Sequence, residues 1–117
     1  MSGKQSEQQI VFASFRLDVE DACLWREDHT IPLTPKAFAV LRHLVARPNR
    51  LVSKEELLTA VWPDAVVGEA VLKTAIRELR KALADNPKTP QFIETAHRRG
   101  YRFIAPLATP PRLQGTG

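Results

Sequence analysis

Residues 69–84 read EAVLKTAIRELRKALA, and this stretch restricts the fold more than any other. Leu72, Ala75, Ile76, Leu79 and Leu83 recur at i, i+3, i+4, i+7 spacing, so the segment is expected to be a helix with one apolar stripe against a core. At about 100° per residue, Lys73, Arg77, Arg80 and Lys81 fall within roughly a 100° arc facing the other way. The turn formers of DNPKTP then end the helix, and QFIETA and GYRFIA follow as two strand-like runs on either side of HRR. A hairpin is predicted there, with Gly100 taking the left-handed conformation that closes a short turn. His97, Arg98 and Arg99 put bulk and charge where such a turn usually carries small residues, so a partner outside the chain is expected to meet them.

Two more helices are legible upstream. Thr34 is placed as an N-cap and Pro35 at the first helical position, and Phe38, Leu41, Leu44 and Val45 continue at helical spacing until Pro48, giving a helix over 35–46. Ser53-x-x-Glu56 reads as a capping box in which each side chain satisfies the other's backbone N–H, so the next helix begins at Lys54. It ends before Trp62-Pro63, and 62–68 is a loop. Toward the N-terminus, three short antiparallel strands are expected near 11–18, 22–26 and 30–33. A domain over 11–105 results, with a disordered N-terminus over 1–10 and a proline-rich linker or tail over 106–117.

Charge is divided along this order. Residues 1–34 hold three cations against six anions, a net of −3, whereas 35–117 hold fourteen against seven, a net of +7. The basic part is therefore the part expected to meet a polyanion. Cys23 is the only cysteine, which excludes an intrachain disulfide, and His29, His43 and His97 are too scattered to suggest zinc ligation. Neither a cofactor nor a metal is expected. Asp64, Glu69 and His97 form no motif with a nucleophile, so a non-enzyme is expected. With no apolar run near the roughly 20 residues of a membrane helix and no signal peptide, the segment is expected to be cytoplasmic and to make no membrane contact.

A short capped helix, a loop, an amphipathic helix with a basic outer face and a basic-tipped hairpin together make an α+β winged helix-turn-helix. LTPKAFAVLRHLVARPNRLVSKEELLTAVW, VLKTAIRELRKAL and FIETAHRRGYRF resemble the OmpR/PhoB-type winged-helix domain of bacterial transcriptional regulators, over about residues 12–104. The resemblance implies an N-terminal antiparallel sheet, three helices, a C-terminal hairpin wing and a short strand at RLVS beside it. It also implies sequence-specific recognition of double-stranded promoter DNA by the third helix.

Carried over residue by residue, the family's base-reading face falls on Lys73, Thr74 and Arg77, and at its margin on Glu78 and Lys81. Arg77 is the residue expected on a guanine, because a guanidinium bonds O6 and N7 together. Contacts to the DNA backbone fall on Thr34, Lys54 and Arg80, and wing contacts on Arg98, Arg99 and Arg102. The loop Trp62, Pro63, Asp64, Ala65, Val66, Val67 and Gly68 is the implied RNA polymerase surface.

Regulators of the two-component type in this phosphorelay-related family carry a receiver domain before this unit, whereas here about eleven residues precede the first expected strand. The arrangement resembles the one-component branch, in which further domains, a membrane anchor among them, follow the linker. Self-association on DNA at repeated half-sites is expected. Two bland readings stand beside these: the basic helix face as merely solvated surface, and a winged helix that binds a protein partner and has only non-specific affinity for DNA.

Overall fold

The structure, a computed structural model, describes residues 9–108. Expectations for the segments 1–8 and 109–117 lie outside the described residues.

Four strands open the fold, β1 (Gln9–Phe12), β2 (Phe15–Asp18), β3 (Cys23–Arg26) and β4 (His29–Ile31), paired antiparallel in chain order. The single strand expected over 11–18 is therefore two strands, and the first starts at Gln9. Periodicity supplies the reason. Phe12 and Phe15 are an odd number of residues apart and would face opposite sides of one continuous strand. A turn at Ala13-Ser14 makes them cross-strand partners, both buried, with ring centroids 5.7 Å apart. No glycine marks the turns of this meander; Ala13, Ala22 and Glu27 take the left-handed conformation, with φ of 51°, 54° and 55°.

The helices are α1 (Pro35–Val45), α2 (Lys54–Val61) and α3 (Glu69–Leu83). Thr34 caps α1 by accepting from the Ala37 N–H, and Ser53 caps α2 by accepting from the Glu56 N–H. The Glu56 carboxylate does not complete a reciprocal box. It accepts instead from His43 Nε2 at 2.7 Å and lies 3.4 Å from Arg47, which joins α2 to the end of α1. Phe38, Leu41, Leu44 and Val45 of α1 meet Leu57 and Val61 of α2 and Leu72, Ile76, Leu79 and Leu83 of α3 in one core.

Between the first two helices lies β5 (Leu51–Ser53), and after α3 come β6 (Ile93–Ala96) and β7 (Gly100–Phe103), in the sheet order β5-β7-β6. The hairpin β6–β7 is the expected wing, with a correction at its turn. Arg98, not Gly100, is left-handed there, with φ 68°. Gly100 answers a different demand. A Cβ on it would lie 2.0 Å from the Val52 carbonyl oxygen, so only glycine lets β7 approach β5. Phe92 and Phe103 pack edge-on against Phe12 at 5.9 and 5.0 Å, which seats the N-terminal sheet on the base of the wing. Beyond β7 the chain turns back along the first sheet, where the Ala108 N–H donates to the Val11 carbonyl.

Candidate nucleic-acid interface

The apolar stripe of α3 is buried, so its other side faces outward. Lys73, Thr74, Arg77 and Lys81 are all exposed there, and among the described residues the three cations have no ion-pair partner. The wing tip is similar. His97, Arg98 and Arg99 are exposed, and the turn is closed by the Arg99 N–H donating to the Ala96 carbonyl at 2.8 Å.

Other residues expected at the interface are engaged within the fold. Both carboxylate oxygens of Glu78 accept from Thr34, from its N–H at 2.7 Å and from its hydroxyl at 2.9 Å, tying the start of α1 to the middle of α3. The Arg80 Nη2 donates to the Ile93 carbonyl at 2.9 Å and to the Thr95 hydroxyl at 2.7 Å, so this guanidinium links α3 to β6. Arg102 pairs with Glu94 across the wing at 3.2 Å. The Nε atoms of Arg80 and Arg102 are buried with no hydrogen-bond partner. Lys54, at the start of α2, lies 3.2 Å from the Glu69 carboxylate at the start of α3, and its N–H donates to the Arg99 carbonyl. Tyr101 is packed near the same residues. Burial pushes its phenol pKa up, against the opposing pull of Arg80 and Lys54.

Two acidic residues were not legible as parts of this surface. Asp85 accepts from the backbone N–H groups of Gln91, Phe92 and Ile93 at 2.7, 3.3 and 2.9 Å, which fixes the first residues of the wing to the end of α3. Glu69 is the other, through its bond to Lys54. Neither has a sequence signature, because both partners become neighbours only when the chain folds back.

In the loop 62–68, Trp62 is half-buried under Lys36, whose ammonium is 5.7 Å from the ring centre and 2.7 Å from the Val61 carbonyl. Val66 is the one exposed large hydrophobic residue among the described residues. Pro63, Asp64, Ala65 and Gly68 are exposed and Val67 is half-buried. Among the described residues no group of side chains could hold a metal ion, and no helix is long and apolar enough to cross a membrane.

A helix-turn-helix whose second helix turns a basic face outward, braced by a three-stranded sheet with a basic tip, defines the winged-helix class of nucleic-acid-binding domains. Residues 28–103 match the family model described as transcriptional regulatory protein, C terminal. The chain belongs to that family, the OmpR/PhoB-type DNA-binding domains of transcriptional regulators.

The transcriptional regulator HilA of Salmonella typhi is 38% identical over 113 residues, 95% of this chain and 20% of HilA, so the chain spans about a fifth of that relative's length. The DNA-binding domain of Klebsiella pneumoniae RstA, solved in complex with the RstA box, matches with TM-score 0.73 at 25% identity, covering 83% of this chain and 97% of that one. DrrB of Thermotoga maritima, a response regulator, matches with TM-score 0.76 at 29% identity over 83% of this chain and 44% of its own.

Proposed function

We propose that this domain binds operator duplexes sequence-specifically to regulate transcription, with α3 in the major groove and the wing tip on the adjacent backbone or minor groove. One observation carries the reading: Lys73, Arg77 and Lys81 stand exposed, with no ion-pair partner among the described residues, on a helix whose apolar stripe is buried, and Arg98 and Arg99 are exposed at the wing tip. An α-helix fits the major groove, and a guanidinium there reads guanine through O6 and N7. Arg77, near the middle of the face, takes that role, with Lys73, Thr74 and Lys81 around it. Glu78 and Arg80 act from behind this surface, holding α1 and β6 to α3.

Arg98 and Arg99 neutralise phosphates, and Arg102, paired with Glu94, supports them from the wing's stem. At the start of α2 the Lys54 and Glu56 N–H groups are taken by the Arg99 carbonyl and the Ser53 hydroxyl, and among the described residues the Glu55 N–H is the one left to anchor the DNA backbone. The loop 62–68, with Val66 outermost, is the surface offered to RNA polymerase. Two copies occupying repeated half-sites supply the affinity that one helix reading a few base pairs lacks.

Selection from a random duplex library, followed by sequencing, tests the reading. An enriched motif is expected. If no motif is enriched, and binding to random duplex vanishes by physiological salt, the domain is a protein-interaction module.

A further inference from the structure

Lys54 occupies an unusual place for a phosphate-contacting cation. It is the first residue of α2, where the positive end of the helix dipole disfavours a cation, and its ammonium is held 3.2 Å from the carboxylate of Glu69, the first residue of α3. The two groups differ in exposure. The Lys54 side chain is 21% exposed and that of Glu69 50%. Lys54 is thus the covered partner and Glu69 the one facing outward. Its surroundings hold it there: the Lys54 N–H is bonded to the Arg99 carbonyl of the wing, and the buried Tyr101 lies close enough to both side chains to feel their charges. By contrast Lys73, Arg77, Lys81, Arg98 and Arg99 have no such counter-ion among the described residues.

We propose that Lys54 and Glu69 form an electrostatic latch that suppresses sequence-independent DNA binding. The inference rests on the operator-binding reading above. A phosphate arriving at the start of α2 takes the Lys54 ammonium only by displacing Glu69, and the displaced carboxylate is then left beside a polyanion. On random duplex nothing offsets that cost, so Lys54 stays paired and the complex forms with the free cations alone. On a matching site, base contacts hold α3 in place and the start of α2 against one phosphate, and the latch opens. Glu69 thereby becomes a specificity-determining residue that reads no base. It widens the gap between operator and random duplex by withholding one phosphate contact from the latter.

The salt dependence of affinity reports how many phosphates are neutralised, so it tests the latch directly. Affinities of wild type, Glu69→Gln and Lys54→Met for the selected site and for random duplex are measured across a salt series. In Lys54→Met the slope of log affinity against log salt should fall by about 0.9 on the selected site and stay as in wild type on random duplex. In Glu69→Gln the random-duplex slope should steepen by about 0.9, and low-salt affinity for random duplex should rise about two- to fivefold, the range of an exposed ion pair. If Lys54→Met lowers both slopes equally, or Glu69→Gln leaves the random-duplex slope unchanged, there is no latch. Thermal unfolding of each variant checks that the fold is kept, and a double variant extends the test, since the Glu69→Gln effect must disappear once Lys54 is Met. The two readings fail separately. An absent selected motif overturns operator recognition, whereas a clear motif with unchanged slopes overturns the latch alone.

Discussion

The outward face of α3 and the stem of the wing carry the same kinds of charge and use them differently. Among the described residues Lys73, Arg77 and Lys81 have no ion-pair partner on a helix whose opposite stripe is buried, whereas Arg80 and Arg102 are bound to the Ile93 carbonyl and Thr95 hydroxyl and to Glu94. Arg77 and Arg80 are neighbours on one face of one helix, and only the hairpin lying beside Arg80 separates their roles. A cationic arc is thus not equivalent to a binding face. The part of it that a second element covers becomes structure, and the part left open is the part available to DNA. Asp85 shows the same from the anionic side, holding three backbone N–H groups where α3 hands over to the wing. Asp85 thereby ties the base of the wing to the end of α3.

The largest effect should come from breaking the stem. In Gly100→Ala the new methyl group would meet the Val52 carbonyl oxygen at 2.0 Å and Ser53 Cα at 2.8 Å, both backbone atoms that cannot swing aside. Separation of β7 from β5 should cost more than about 3 kcal/mol in urea unfolding. A cost below about 1 kcal/mol would mean that the sheet yields easily and the wing is not a rigid brace.

Next comes the division between specifying and positioning contacts. Arg77→Ala should lose about 1–3 kcal/mol on the selected site and relax preference at one base position. Arg98→Ala with Arg99→Ala should weaken all duplexes evenly and flatten the salt slope by about 0.9 for each phosphate left without its cation. Titration of duplexes differing at single positions separates the two outcomes, and equal losses on every sequence from both changes would erase the distinction between the two surfaces.

Asp85→Ala leaves three N–H groups at the wing's base without their acceptor, and about 1–3 kcal/mol of stability should go with it. Faster amide exchange at Phe92 and Ile93 than in α1 would locate the loss in the joint. Uniform acceleration throughout the domain would show that Asp85 is not a local tether.

The smallest effect should lie at Glu56, away from the outward face of α3 and the wing. The hydrogen bond from His43 holds its carboxyl below the usual carboxylate range, against desolvation by burial and with help from the nearby charges of His43, Arg47 and Arg50. A depressed folded-state value means stability that is present above the unfolded carboxylate range and lost as pH falls through the lower folded value. Glu56→Gln should therefore lose less stability than wild type on acidification from about pH 6 to pH 3, by less than about 1 kcal/mol, with DNA affinity at neutral pH unchanged. Calorimetry at a series of pH values reads the first quantity. A change in DNA affinity would extend the interface to the α1–α2 seam.

Local patterns settled much of this molecule before any tertiary neighbour was known. The stripe of Leu72, Ile76, Leu79 and Leu83, the caps Thr34 and Ser53 and the β-branched runs beside HRR depend on neighbours a few residues away, so helices, caps, wing and the outward basic arc could be read from the order of residues. The N-terminal turns were less legible, because Ala13, Ala22 and Glu27 adopt left-handed backbone without glycine, and strand pairing enforces those conformations from outside. Gly100 was visible as a turn residue but not as the gap through which β7 reaches β5. What only the tertiary structure decided is which charges are free. Thr34 and Glu78 are 44 residues apart, Lys54 and Glu69 are 15 apart, and Arg80 and Thr95 also 15. No periodicity links such positions, because an ion pair or a long-range hydrogen bond depends on distances that exist only after the helices and the wing have packed on a common core.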